Sequence, residues 1–265
     1  MDKTQIKEMV RARYGAIADR AEASCCAPSP SSCCSPETTD GSRDEARRMG
    51  YSEAELAAAV GEGANLGLGC GNPQAIAALQ PGETVVDLGS GAGFDCLLAA
   101  RQVGDTGHVI GVDMTHEMLN KARDNAARIG AGNVEFEHLP VADNTADVVI
   151  SNCVINLVPD KERVFREAFR VLKPGGRLAV SDVINTAPLS AELRSDPALL
   201  CGWIVGAASA ERIEDWLACA GYVDIRVTPK LESRELIETW APGRDIENHI
   251  VSAMVEARKP RAVQA

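Results

Sequence analysis

Nine cysteines in 265 residues are the first feature with chemical content, and their placement sorts them into groups. Cys25 and Cys26 form one adjacent pair, and Cys33 and Cys34 another, inside a Ser/Pro-rich stretch. Cys70 lies between two glycines, and Cys153 follows Ser151-Asn152 at the end of an apolar run. Thiolates so placed can hold a soft metal or metalloid, or exchange with disulfides. A cysteine also serves as a small buried hydrophobe, and for Cys153 the two uses weigh about equally on residue type alone. Cys96 and Cys219 fall on apolar helical stretches and are read as structural.

The second chemical signal is Val85-Val86-Asp87-Leu88-Gly89-Ser90-Gly91-Ala92-Gly93-Phe94-Asp95. A buried strand runs into a glycine turn that opens a helix, so a ligand can approach the backbone closely. A dinucleotide site uses a similar turn, and two acids decide between the ligands. Asp87 precedes the glycines, where a carboxylate suits an ammonium and a sulfonium better than a pyrophosphate. Asp113 closes the next strand at the distance expected of an acid on a ribose. The ligand that fits is S-adenosylmethionine, with Asp87, Gly89, Ser90, Gly91, Gly93, Asp95, Asp113 and Asn152 as its binding residues. Met114 lies either against the adenine or in plain packing.

These groups need a sheet to hold them. From Glu83 onward strands alternate with helices, the mark of a parallel sheet covered on both faces. The spacing predicts strands at 84–89, 108–113, 133–138, 147–154, 177–183, 222–229 and 250–258, and helices at 95–103, 116–129, 160–171 and 210–220. Ahead of them, residues 3–21 have helical periodicity, 24–43 read as a flexible Ser/Pro/Cys loop, and Ser52 with Glu55 forms a capping box that opens a helix to Val60. The organisation expected is 1–64 as helices and a Cys-rich loop, 65–187 as the cofactor-binding core, and 188–265 as an acceptor-site loop with the last strands.

The glycine turn, Gly111-Val112-Asp113-Met114-Thr115 and Arg170–Asp182 together resemble the class I methyltransferase domain. The resemblance implies a seven-stranded α/β (Rossmann-like) sheet in the order 3-2-1-4-5-7-6, with a Cys-rich segment before it and a small C-terminal α/β appendage. It also assigns Lys173-Pro174-Gly175-Gly176 to the turn into the fifth strand. Leu66–Ala77 and Ser151–Gly176 are further similar to the arsenite methyltransferase family, as is Glu232–Ala253. That resemblance implies methyl transfer from S-adenosylmethionine to trivalent arsenic held on the thiolates of Cys70 and Cys153. Bacterial members of that family have a Cys-Cys-rich N-terminal segment, which Cys25, Cys26, Cys33 and Cys34 match; redox exchange, shuttling and metal scavenging fit these pairs equally well. Arsenic is thiophilic and keeps a lone pair that attacks an electrophilic methyl, so alignment is the main task and no general base is required. A thiol reductant, glutathione or thioredoxin, is the expected partner that resets the site.

Two features depart from that family. Relatives carry Cys-Gly-Cys where this chain has Cys201-Gly202-Trp203, so the third thiolate is replaced by an indole. Cys201 can substitute only if its side chain turns inward; the readings preferred are two thiolates alone, or two completed by a small thiol such as glutathione. The link from Glu137 to Asp147 is also short: eleven residues reach roughly 37 Å, against a diagonal of about 22 Å, which leaves little chain for an adenine pocket. Weakened cofactor binding is the expectation.

The formal charge of −11 repels phosphate backbones, and aromatic residues are only 4%, which together exclude nucleic acid as a substrate. No apolar run reaches membrane-span length and no signal core opens the chain, so a cytoplasmic location is expected. His108, His116, His138 and His249 are too scattered for a metal triad. The alternatives are an arsenic- or antimony-binding protein with impaired methylation, or a carbon or oxygen methyltransferase for a small organic acceptor.

Overall fold

The computed structural model describes residues 2–22, 37–58, 63–138, 140–196, 199 and 204–261. Cys25, Cys26, Cys33, Cys34, Cys201 and Trp203 lie outside the described residues.

A seven-stranded sheet organises the chain, in the order β3-β2-β1-β4-β5-β7-β6. Its strands are β1 (Thr84–Leu88), β2 (His108–Val112), β3 (Val134–Glu137), β4 (Ala146–Asn152), β5 (Leu172–Asn185), β6 (Val223–Lys230) and β7 (Ile250–Arg258). Strands β1 to β5 run parallel, whereas β7 pairs antiparallel with both β5 and β6. The parallel strands are Val/Ile-rich because helices cover both faces. Val85, Val86, Val109, Val148, Val149 and Ile150 are all buried.

Ten helices lie among the described residues: α1 (Lys3–Glu22), α2 (Glu37–Met49), α3 (Glu53–Ala58), α4 (Gln74–Ala77), α5 (Phe94–Val103), α6 (His116–Ile129), α7 (Lys161–Val171), α8 (Ala191–Ser195), α9 (Ala210–Ala220) and α10 (Arg234–Glu238). Helix α3 starts as its capping box predicts: Ser52 N–H and Oγ–H donate to Glu55 at 2.7 and 2.6 Å, and Glu55 N–H donates back to Ser52 Oγ at 3.2 Å.

The loop expected through Arg43 is instead helical from Glu37. The local composition beyond Pro36 is polar, but Ala46 and Met49 bury one face of α2 against Tyr51, Leu56, Leu98 and Leu236. Tertiary burial of that stripe outweighs weak propensity. Cys219, read as structural, is exposed on α9, whereas Cys96 is buried on α5.

Strands β6 and β7 complete the main sheet, and the chain between β5 and β7 folds back over its carboxyl end. There Leu189, Leu193, Leu199, Ile204, Ile237 and Ile246 form an apolar cover in one cluster with Cys70 and Cys153. On the opposite side of the sheet from that cover, Leu217 of α9 is fully buried against the core of β5 and β7. Leu217→Ala is expected to cost about 3 kcal/mol of unfolding free energy in urea titrations, through lost burial and the cavity left behind. Ligand binding by the folded fraction stays unchanged.

Candidate functional site

The carboxyl ends of β1, β2 and β4 open on a cavity of about 660 Å3, within the roughly 300–1,000 Å3 usual for cofactor sites. Its floor is the stretch from Asp87 to Ala92, its far wall includes Asp113, Met114 and His138, and its near wall includes Asn152, Cys153 and Val154. Helix α1 closes one side through Lys7, Val10, Arg11 and Tyr14.

The glycine turn is shaped by its neighbours as much as by its ligand. Gly89 has φ 77°, and a Cβ there would collide with the methyls of Val154. The turn therefore packs directly on the loop that carries Cys153. Gly91, also left-handed at φ 52°, has open space where a side chain would project, and so leaves room for a ligand. Its N–H donates to Asp113 at 3.0 Å, and Thr115 N–H donates to the same carboxylate at 2.8 Å.

Three acids converge on this space. Burial pushes Asp87 well above the ordinary carboxylate range, and the neighbouring Asp95 adds to the effect. Burial likewise raises Asp95 and Asp113, partly offset by hydrogen bonds from Tyr51, Gln74 and Asn152 to Asp95 and from backbone N–H groups to Asp113. Carboxylates so placed favour a cation arriving among them. Ser90 Oγ is buried and has no hydrogen-bond partner among the described residues. Acids awaiting a cation, an orphaned hydroxyl and a glycine cradle fit S-adenosylmethionine.

Beside this cavity Cys70 and Cys153 meet. They form a disulfide with a Cα–Cα distance of 5.9 Å, and each is 2% exposed. The sequence reading has two thiolates facing a third atom; the structure has the two sulfurs bonded to each other. Their convergence follows from three local features. Cys153 adopts φ 54°, a left-handed conformation that turns the chain sharply out of β4, and its N–H donates to Ser181 O at 2.8 Å. Gly71 allows the Cys70 loop to lie against β5, where a Cβ would strike Ser181 Oγ. Asn152 joins the two: Cys70 N–H donates to its Oδ1 at 3.2 Å, and its Nδ2 donates to Gly71 O at 2.8 Å and Tyr51 Oη at 3.1 Å.

Several residues of this region were not singled out from the sequence. Tyr51 donates to Asp95 at 2.7 Å from the short link between α2 and α3, far away in the chain. Asp182 lies with its carboxylate within 4.8 Å of both sulfurs. Burial raises it to about 6, against the backbone N–H groups that it accepts. His116 and His138, set aside as scattered, stack with ring centroids 5.8 Å apart on the cavity wall, and His138 Nδ1 lies 3.0 Å from Asp113 O. The β3–β4 link thus reaches its strand and still places an imidazole at the cofactor cavity. The only advance signal was that His138 directly follows β3 and His116 opens α6.

The strand order, the glycine turn and the acid at the end of β2 define a class I methyltransferase. Residues 79–226 match the family model of a methyltransferase domain. An arsenite methyltransferase from Halobacterium salinarum is 51% identical over 98% of this chain and 68% of its own length. One from Aquipseudomonas alcaligenes is 45% identical over 57% of this chain and 47% of its own. The crystal structure of an arsenic (III) S-adenosylmethionine methyltransferase from Chlamydomonas reinhardtii superposes with a TM-score of 0.56 and 29% identity, covering 88% of this chain and 76% of that one. The chain belongs to the arsenite methyltransferase family. No helix of the described residues is long and apolar enough to cross a membrane.

Two substitutions probe the geometry. Gly89→Ala should abolish cofactor binding in calorimetric titration, because it forces a strained φ and displaces Val154 beside Cys153. Asp87→Asn should act in opposite directions on stability and binding. A carboxyl raised in the folded state costs stability once the pH exceeds its unfolded value. Thermal melts of the ligand-free variant should therefore exceed wild type at pH 8, the gain vanishing as the pH falls toward 4, while cofactor affinity drops.

Proposed function

We infer that this chain transfers a methyl group from S-adenosylmethionine to trivalent arsenic held by Cys70 and Cys153. The observation that carries the reading is the convergence of these two sulfurs from distant loops beside a cavity built for a cationic cofactor. Thiolates are the natural donors for soft arsenic. Opening the disulfide takes two electrons and two protons, which a thiol reductant such as glutathione or thioredoxin supplies by exchange. That requirement favours a reducing compartment, the cytoplasm, as the place of action.

Each group then has a task. Asp87 and Asp113 receive the positive and hydroxyl-bearing parts of the cofactor, and Ser90 Oγ gains the partner that it lacks. Bound there, the cofactor supplies a sulfonium-activated methyl, the electrophile for an arsenic lone pair. Cys153 lines the same cavity, so arsenic on its sulfur faces that methyl without leaving the site. Asn152 fixes the Cys70 loop against β4 and so sets the alignment on which the rate depends. The leucine and isoleucine cover keeps water from the sulfurs. The N-terminal pairs Cys25–Cys26 and Cys33–Cys34 serve resetting or delivery in this reading.

A weaker methylator that chiefly binds arsenic is the second reading, favoured by Trp203 in place of a thiol. Incubation with arsenite, S-adenosylmethionine and glutathione, followed by chromatographic separation of arsenic species, decides between them. Methylated products are expected, and arsenic that is bound but unmethylated would support the second. Cys153→Ser should abolish product, and Trp203→Cys should raise turnover.

A further inference from the structure

Two thiolates do not saturate arsenic. Arsenous acid has three hydroxyls, and condensation with two thiols forms two As–S bonds and releases two waters: As(OH)3 plus two Cys–SH gives (Cys–S)2As–OH. One hydroxyl stays on arsenic. Buried in the apolar cluster around Cys70 and Cys153, that O–H needs an acceptor, because an unpaired polar group there is costly.

Among the described residues, the polar side chains at the sulfurs are few. Ser181 Oγ lies 3.8 Å from Cys70 Sγ and Asn152 Oδ1 lies 4.0 Å from it. Asn152 Oδ1 is already engaged by the Cys70 N–H. Asp182 is the third, 4% exposed, at the end of the parallel stretch where β5 passes under both loops. Its Oδ1 accepts from Val183 N–H at 2.8 Å and its Oδ2 from Asn156 N–H at 3.2 Å. Ile155 N–H is a third backbone donor to it, and a carboxylate offers about four lone-pair sites, so capacity for one more donor is left. Lys161 is the cation that it faces.

We propose that Asp182 is the oxygen-side partner of the substrate: with two sulfurs from Cys70 and Cys153, its carboxylate holds the one remaining hydroxyl of bound arsenite. It thereby supplies, through a hydrogen bond, a third fixed contact beside the two sulfurs. The inference rests on the thiolate reading above and makes it specific for the inorganic, hydroxyl-bearing form of the substrate. Asp182 is a positioning residue for that form, in addition to bracing the turn at Ile155–Leu157.

A pair of ligands separates these two roles. Phenylarsine oxide condensed with the same two thiols keeps no hydroxyl, so it uses the sulfurs without needing Asp182. The full chain, with Cys25, Cys26, Cys33, Cys34 and Cys201 changed to serine and the Cys70–Cys153 disulfide reduced, is dialysed to equilibrium against each compound, and bound arsenic is counted by mass spectrometry. Asp182→Asn should weaken arsenite binding about tenfold or more, the loss of a charge-assisted hydrogen bond, while phenylarsine oxide binds as before. Equal weakening of both, or of neither, overturns the proposal. X-ray absorption at the arsenic edge of the arsenite-loaded chain with Asp182 intact needs no substitution at that site: two sulfur neighbours and one oxygen are expected, and three sulfurs overturn it. If Cys70→Ser leaves the binding of both compounds intact, the thiolate reading itself fails, a different outcome from the failure of Asp182.

Discussion

The side-chain amide of Asn152 is the contact on which the site depends. It stands at the last residue of β4 and takes hydrogen bonds in two directions: its oxygen accepts from the Cys70 backbone, and its nitrogen donates to Gly71, Tyr51 and, at 3.3 Å, Asp95. The loop carrying one sulfur is thus bound to the strand that carries the other, and both are tied to an acid of the cofactor cavity. A shorter or purely accepting side chain cannot make all of these contacts. The adjacent left-handed turn at Cys153 and the contact of Gly89 with Val154 complete the junction, so that movement of the glycine turn is felt at the sulfur.

The site joins two environments that differ in kind. On one side Asp87, Asp95 and Asp113 concentrate negative potential in a space large enough for a cofactor. On the other, aliphatic side chains from the segment between β5 and β7 surround the cysteine pair. The first draws a positively charged ligand, and the second suits a neutral, soft, weakly hydrated one. Cys153, lining the cavity and belonging to the apolar cluster, is the boundary between them.

The sheet was legible because its signals are local: apolar runs bounded by glycine, and acids at the ends of β1 and β2. The same locality made Asp87, Gly89, Gly91 and Asp113 recognisable. Tyr51, Asp182 and the His116–His138 stack were not, because each acquires meaning only when segments distant in the chain are superposed. Tyr51 lies 44 positions from the acid it serves. Asp182 reads as one more polar residue of a strand until two loops bring sulfurs to it. Helix α2 was missed for a related reason, since the face it buries is supplied by α3, α5 and α10 rather than by its own periodicity.

The near-complete burial of both cysteines has a kinetic consequence. Sulfurs only 2% exposed cannot collect a metalloid by collision with the surface. Leu189, Leu193 and Ile204 pack around them on one side, and the cofactor cavity lined by Cys153 is the approach that stays open. Narrow access of this kind favours a compact uncharged acid over a bulky thiol conjugate and shelters a loaded metalloid from competing thiols in solution.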